Sequence, residues 1–178
     1  QEIKISKEIA KSSGTPSKAI SIDEVEIQNF TRFSTKDSEL DLVLGGGVVE
    51  GSLVLIGGSP GIGKSTLLLK IGSNLAKDGK KTLYVSGEES QSQIKMRADR
   101  LNAVDKNLYL LTEICLEDIL LEVQKSDYKV LVIDSIQTLY SQNITSAPGS
   151  ITQVREITFE LMRLAKSQNI CVFIIGHI

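Results

Sequence analysis

At 178 residues, 41% of them apolar and with no apolar run long enough to cross a bilayer as a helix, the chain is sized for one compact domain and excludes a helical membrane protein. Its 20 basic and 22 acidic residues leave a formal net charge of −2, unlike a stand-alone nucleic-acid binder with its basic face, so any nucleic-acid contact must be local or shared between subunits. Cys115 and Cys171 lie far apart, in or beside apolar segments, so two buried reduced thiols are expected rather than a disulfide or a zinc site; with a polar N-terminus lacking a secretory signal, they point to the cytoplasm.

In chain order, residues 1–18 are rich in Lys, Ser and Glu, with Gly14, Thr15 and Pro16 breaking any pattern, and are expected to form a flexible linker ahead of a domain over residues 19–178. A short capped helix is predicted over residues 38–44, after which Gly45, Gly46 and Gly47 permit a tight reversal into the first core strand. Residues 52–57 read as a buried parallel strand and residues 64–77 as a helix stopping at Asp78 and Gly79. Residues 82–86 are the next strand and 91–101 the next helix, with Ile94, Ala98 and Leu101 at helical spacing. A strand over 108–111, a helix over 116–125 and a wholly apolar strand over 130–134 follow. Ser150 and Gln153 are spaced as a capping box for a helix whose Ile151, Val154, Ile157, Leu161 and Leu164 form one apolar stripe, and residues 171–175 make a final buried strand. This alternation predicts an α/β fold, a mostly parallel sheet flanked by helices.

The run Gly58-Ser59-Pro60-Gly61-Ile62-Gly63-Lys64-Ser65 fits the phosphate-loop pattern G-x-x-x-x-G-K-[ST] between a predicted strand and a predicted helix. Its glycines let successive N–H groups point inward as an anion nest, and Lys64 supplies a point charge for the β and γ phosphates. Ser65 opens the helix, whose N-terminus carries partial positive charge, and its hydroxyl suits Mg²⁺; Thr66 is next in line for the α phosphate. ATP with Mg²⁺ is the ligand pair this pattern implies.

Two carboxylate groups complete such a site. Asp134 ends the apolar strand 130–134, placed to hold a Mg²⁺-bound water at the carboxyl edge of the sheet. Glu88 and Glu89 directly follow the strand 82–86, where one of them suits polarising an attacking water; Glu88 is the first choice and Glu89 the reserve, against a plain acidic helix start. His177, the sole histidine, and Gln137 are candidates to sense the γ phosphate, or simply hydrogen-bonded residues at strand ends. The small polar loop 141–149, with Ser141, Asn143, Ser146 and Gly149, and the cation Arg155 beyond it, is the candidate DNA contact; a plain surface connection, and an Arg155 paired with a surface acid, stand beside that.

The series Thr31-Arg32-Phe33-Ser34-Thr35, Glu39-Leu40-Asp41, Leu44-Gly45-Gly46-Gly47, Pro60 to Leu68, Tyr84-Val85-Ser86-Gly87-Glu88-Glu89-Ser90, Asp134-Ser135-Ile136-Gln137-Thr138 and Ser146-Ala147-Pro148-Gly149-Ser150 resembles bacterial RadA, also called Sms. That family comprises DNA repair and recombination ATPases of the RecA-like class, and the resemblance runs over residues 18–178. It implies a RecA-like P-loop core, assembly as a homo-hexamer, binding of single-stranded DNA and recombination intermediates, branch migration and a recombinase partner. It further implies that the family's zinc finger, Lys-Asn-Arg-Phe-Gly motif and Lon-like domain lie outside these residues, so the core alone is expected to bind nucleotide but hydrolyse it poorly. Two other classes stay open: a nucleotide-dependent assembly switch of the clock-scaffold RecA-like type, and, more weakly, a small-molecule kinase.

Overall fold

The computed structural model describes residues 17–178, so all but the last two residues of the expected linker lie outside the described residues. Residues 17–31 are exposed, with one 3₁₀ turn at Ile22–Glu24, and the packed core starts at β1 (Arg32–Phe33). The polypeptide then runs α1 (Ser38–Val43), β2 (Val48–Val49), β3 (Leu53–Gly58), α2 (Lys64–Lys77), β4 (Thr82–Ser86), α3 (Gln91–Arg100), β5 (Leu108–Thr112), α4 (Leu116–Gln124), β6 (Val130–Asp134), α5 (Ile151–Gln168) and β7 (Cys171–His177).

Strands β3, β7, β6, β4 and β5, in that spatial order, form a five-stranded sheet in which every pairing is parallel. Alternate side chains of the strands build two cores, as the two-residue period of a strand requires. On one face Leu83, Val85, Leu131, Ile133, Val172 and Ile174 pack with Ile119 and Val123 of α4 and with Ile157 and Leu161 of α5. On the other, Tyr84, Val130, Val132, Phe173 and Ile175 pack with Leu68 and Leu75 of α2 and with Ile94 of α3. Each fully buried aliphatic or aromatic side chain contributes roughly 1.5–3 kcal/mol of transfer free energy, so these two layers, rather than local propensity, hold the sheet between its helices.

Some expectations need correction. The strand expected to be buried at residues 52–57 is parallel, but it is an edge of the sheet with only β7 beside it, and Leu55 is 64% exposed. The glycine reversal leads first into the two-residue antiparallel pair β1–β2, where Gly47 at φ +127° lies so close to Phe33 that a Cβ would meet its carbonyl oxygen at 2.5 Å. The apolar stripe of α5 holds at Ile157, Leu161 and Leu164, whereas Ile151 in the first turn is 85% exposed. Both cysteines are free thiols buried in the fold, and burial pushes the Cys171 thiol upward.

Helix ends follow the expected chemistry with one exchange of partners. Ser90 and Gln93 make a complete capping box at α3. At α5, Ser150 accepts from the Gln153 N–H, but the Gln153 side chain turns inward instead of returning to the cap. That amide accepts from Ser141 N–H at 3.0 Å and donates to the carbonyl oxygens of Ile144 and Ser146 at 3.3 and 2.9 Å. Among the described residues no helix is long and apolar enough to cross a membrane.

Candidate active site

The carboxyl ends of β3, β4, β6 and β7 meet at one edge of the sheet, and the chemistry-bearing residues lie there. Register pairs Gly58 with His177 and Ser86 with Asp134, which sets the phosphate loop beside the last strand and the Glu88–Glu89 turn beside the Asp134 strand. Gly87 N–H donates to the Asp134 carbonyl at 3.1 Å, tying that turn to β6. The peptide between Asp134 and Ser135 is cis.

Residues 58–66 form the expected loop and helix start. Gly63 caps α2 at φ +95°, and Gly61 sits at φ +82°; a Cβ at either position would meet nothing within 4 Å. Both therefore hold left-handed backbone with open space beside them, the condition for a ligand to approach the main chain. Lys64 is 6% exposed, and its Nζ donates to the carbonyl oxygens of Gly58 and Ser59 at 2.6 and 2.7 Å. Ser59, Pro60 and Ile62 are exposed, and Ser65 and Thr66 begin the helix.

The two glutamates are held differently. Glu89 receives Arg97 Nη1 at 2.7 Å, and its N–H donates to Ser86 Oγ at 3.1 Å. Glu88 is exposed, and no described side chain bonds it. Arg97, on α3, keeps Nε and Nη2 buried without a partner. On β4, Tyr84 is fully buried and its hydroxyl donates to Asp134 Oδ2 at 2.6 Å. Burial first, then the Asp134 charge, hold the Tyr84 phenol well above its ordinary range, so it remains a donor.

Tyr84 and Arg97 were not among the residues singled out from the sequence. The signal for Tyr84 is a phenol inside an otherwise apolar strand, since a buried tyrosine hydroxyl needs a partner. Arg97 carries no comparable mark, because the predicted helix 91–101 has several surface cations.

Gln137 and His177 are brought together, though through the backbone of His177. Gln137 Nε2 donates to the His177 carbonyl at 3.1 Å, and Gln137 Oε1 accepts from the His177 N–H at 3.2 Å. The Gln137 amide therefore clamps the end of β7. His177 Nδ1 and the fully buried Ser135 Oγ lack hydrogen-bond partners. Buried polar atoms of this kind need satisfying, so the corner they occupy fits an oxygen-rich ligand and its hydrated cation.

Of the residues considered for DNA, Ser141, Asn143 and Ser146 are bonded to Glu117 and Ser150, whereas Gly149 lies against Gln137, where a Cβ would meet the Gln137 carbonyl oxygen at 3.3 Å. Ser141 is 5% exposed and gives its hydroxyl to Glu117 Oε1. Asn143 donates to the same carboxylate at 3.2 Å, and Ser146 Oγ accepts from Ser150 at 3.0 Å. Gly149 is exposed at φ +77°, and Arg155 is exposed and lies 3.4 Å from Glu156. For Glu117, burial acts to raise the carboxyl, and the Ser141 and backbone hydrogen bonds outweigh it, so the group sits below its ordinary value. Among the described residues no cluster of His, Cys, Asp and Glu is arranged to hold a metal by itself.

A parallel sheet with helices on both faces and a phosphate loop at its carboxyl edge defines a RecA-like P-loop core of the α/β class. The chain belongs to the family described as the AAA domain, which matches residues 21–178. It is 70% identical over 178 residues to a protein of Campylobacter jejuni described as DNA repair protein RadA, covering 100% of this chain and 40% of that one. Proteins of the same description from Helicobacter pylori and Listeria monocytogenes are 62% and 52% identical, over 90% and 93% of this chain and 36% of each relative. The chain thus spans about two fifths of the length of the curated relatives it matches.

Proposed function

We propose that these residues form the ATPase core of a cytoplasmic DNA repair protein of the RadA type, which couples ATP binding and hydrolysis to single-stranded DNA binding and to branch migration of recombination intermediates. The observation that carries this reading is the meeting of the phosphate loop, Asp134 and an unengaged Glu88 at one sheet edge. The RadA description of the similar proteins supports the DNA repair context.

In this reading the loop N–H groups and Lys64 bind the triphosphate, and the start of α2 adds its dipole. Ser65 and, through a water, Asp134 would hold Mg²⁺, which when bound neutralises charge on the phosphate oxygens. Glu88 orients the attacking water and accepts its proton, because its carboxylate is free where that of Glu89 is bound to Arg97. His177, beside Gly58, fits a contact to the terminal phosphate, and Gln137 transmits a shift of the β7 end to the segment after β6. Loop 141–149 is the DNA contact in this reading. A cation from a neighbouring subunit of a homo-hexamer completes the charge stabilisation, so the core alone turns over slowly.

The test is ATP hydrolysis by the chain with and without single-stranded DNA, alongside its mass in solution with nucleotide. DNA-stimulated turnover in an oligomer supports the motor. Nucleotide-dependent assembly without any DNA effect would favour the assembly switch instead.

A further inference from the structure

We propose that Tyr84 is a positioning residue for the divalent cation: its hydroxyl holds one oxygen of Asp134 and reserves the other for a cation-bound water. The proposal rests on the nucleotide-hydrolase reading above and assigns within it a residue that the phosphate-loop and carboxylate motifs do not contain.

Tyr84 sits in the middle of β4 with the ring buried in the core formed with α2 and α3. Phe would fill such a position, and a buried phenol is costly unless its hydroxyl is satisfied. Here the hydroxyl reaches out of the apolar layer to Asp134 Oδ2 at 2.6 Å, the length of a charge-assisted bond. The Ser65 main-chain oxygen is 3.5 Å from the same hydroxyl. One atom of Tyr84 therefore lies between the first turn of α2, which carries Ser65, and the carboxylate that ends β6.

Among the described residues no other side chain or N–H bonds the Asp134 carboxylate, so Oδ1 has no protein donor. An aspartate carboxyl turns about a broad, two-fold torsion, and a single short bond to one oxygen removes that freedom. The oxygen without a donor is then presented in a fixed direction. Asp134 is only 8% exposed, so misdirection of this carboxylate would not be repaired by bulk water. Partners that orient a direct metal ligand typically change metal affinity by 10- to 100-fold when removed, and Tyr84, acting through a carboxylate that reaches the cation by a water, belongs at the lower end of that range.

The experiment titrates Mg²⁺ into the full chain with a fluorescent ATP analogue, and repeats the nucleotide titration in EDTA. It compares wild type, Tyr84→Phe, Asp134→Ala and the double variant. Tyr84→Phe is expected to raise the half-saturating Mg²⁺ concentration about tenfold while leaving affinity in EDTA within about twofold of wild type. The double variant is expected to match Asp134→Ala, because Tyr84 acts through that carboxylate. A wild-type Mg²⁺ response from Tyr84→Phe beside an impaired Asp134→Ala would leave Tyr84 a packing residue and overturn the proposal alone. A wild-type response from Asp134→Ala would overturn the metal reading of Asp134 and the role of Tyr84 together. Loss of nucleotide in EDTA by Tyr84→Phe would show that the hydroxyl acts on the fold, and the proposal would fall.

Discussion

The Arg97 guanidinium holds Glu89 at 2.7 Å, and that one contact separates two adjacent glutamates with the same side-chain chemistry. Glu89 and Arg97 are 28% and 17% exposed at their side chains, so the pair is partly withdrawn from water, while Glu88 faces it. A carboxylate oxygen held by a guanidinium is not free to turn toward an attacking water, whereas that of Glu88 is. Glu88→Gln is therefore expected to retain nucleotide and lower turnover by roughly 10²–10⁴-fold, the usual range for a lost general base. Glu89→Gln is expected to act on stability, lowering it by about 1–2 kcal/mol because Arg97 loses its one partner, with a smaller effect on turnover. Single-turnover hydrolysis and thermal melts of the two variants decide the assignment; larger loss of turnover in Glu89→Gln would reverse it.

Lys64 lies almost buried with its ammonium on the carbonyl oxygens of Gly58 and Ser59. Its substitution by Ala removes the charge that faces the β and γ phosphates in the proposed site. The expected outcome is at least about 100-fold weaker ATP binding, with AMP, which lacks those phosphates, far less affected. Calorimetric titration with both nucleotides measures the contrast. Equal weakening for AMP and ATP would mean that the variant disrupts the loop rather than a phosphate contact.

Much of this architecture is legible in the sequence because the strongest signals are local. The predicted helix over 64–77 and strand over 130–134 match α2 and β6 to the residue, since a glycine-rich loop and an apolar run ending in an acid each bound an element sharply. Spatial order is not local, and this is why the strand carrying the phosphate loop was expected inside the sheet although β3 lies at its edge. An apolar strand reads alike in either place, and only the count of neighbours distinguishes them. The same limit hid Tyr84–Asp134 and Arg97–Glu89, which join residues on separate elements. Ser150-x-x-Gln153 is the clearest lesson: the spacing names a capping box, but a loop needing donors and an acceptor claimed the glutamine.

Gly47 and Gly63 share positive φ and differ in what surrounds them. At Gly47 a Cβ would meet the Phe33 carbonyl at 2.5 Å, whereas at Gly63 it would meet nothing within 4 Å. Gly47→Ala is thus expected to destabilise by about 2 kcal/mol, lowering Tm by roughly 4–8 °C, with nucleotide affinity preserved at temperatures where the chain stays folded. Gly63→Ala is expected to cost only about 1 kcal/mol, yet to weaken nucleotide binding by distorting the loop beside Lys64. Melting curves and binding isotherms should rank the two variants in opposite order; the same ranking by both measurements would refute the distinction.

Gln153 is 1% exposed, and its amide links residues 141–146 to α5. Removing it strands the Ser141 N–H and the carbonyls of Ser141, Ile144 and Ser146, at about 1–3 kcal/mol. Gln153→Ala is expected to make this loop a site of early proteolytic cleavage while the sheet persists. Under the proposed function it also weakens single-stranded DNA binding, because a loop that must be ordered on contact binds less well. Cleavage mapping on the native chain checks the first effect and fluorescence anisotropy with labelled DNA the second. A protease pattern identical to wild type would show that Glu117 alone, through Ser141, Gln142 and Asn143, suffices to hold the loop.

Asp41 links α1 to the end of β1, accepting from Ser34 Oγ at 2.6 Å, Thr35 N–H at 2.9 Å and Thr35 Oγ1 at 2.6 Å. Burial acts to raise its pKa, and the Ser34 and Thr35 hydrogen bonds, with the charge of Lys36, outweigh it, so the carboxyl lies below its ordinary value. A depressed carboxylate pKa in the folded chain means that the unfolded chain binds the proton first. The stabilisation from Asp41 is therefore complete above the unfolded value and is lost as the pH falls through the folded one. Asp41→Asn keeps the shape but loses the charge, and is expected to lower stability at neutral pH by about 1 kcal/mol, roughly 2–4 °C in Tm. The gap from wild type should stay constant from neutral pH down to the ordinary carboxylate range and close below it. Paired melts across that range test the sign directly, because a gap that widens on acidification would require Asp41 to be held above its ordinary value, contrary to the three donors around it.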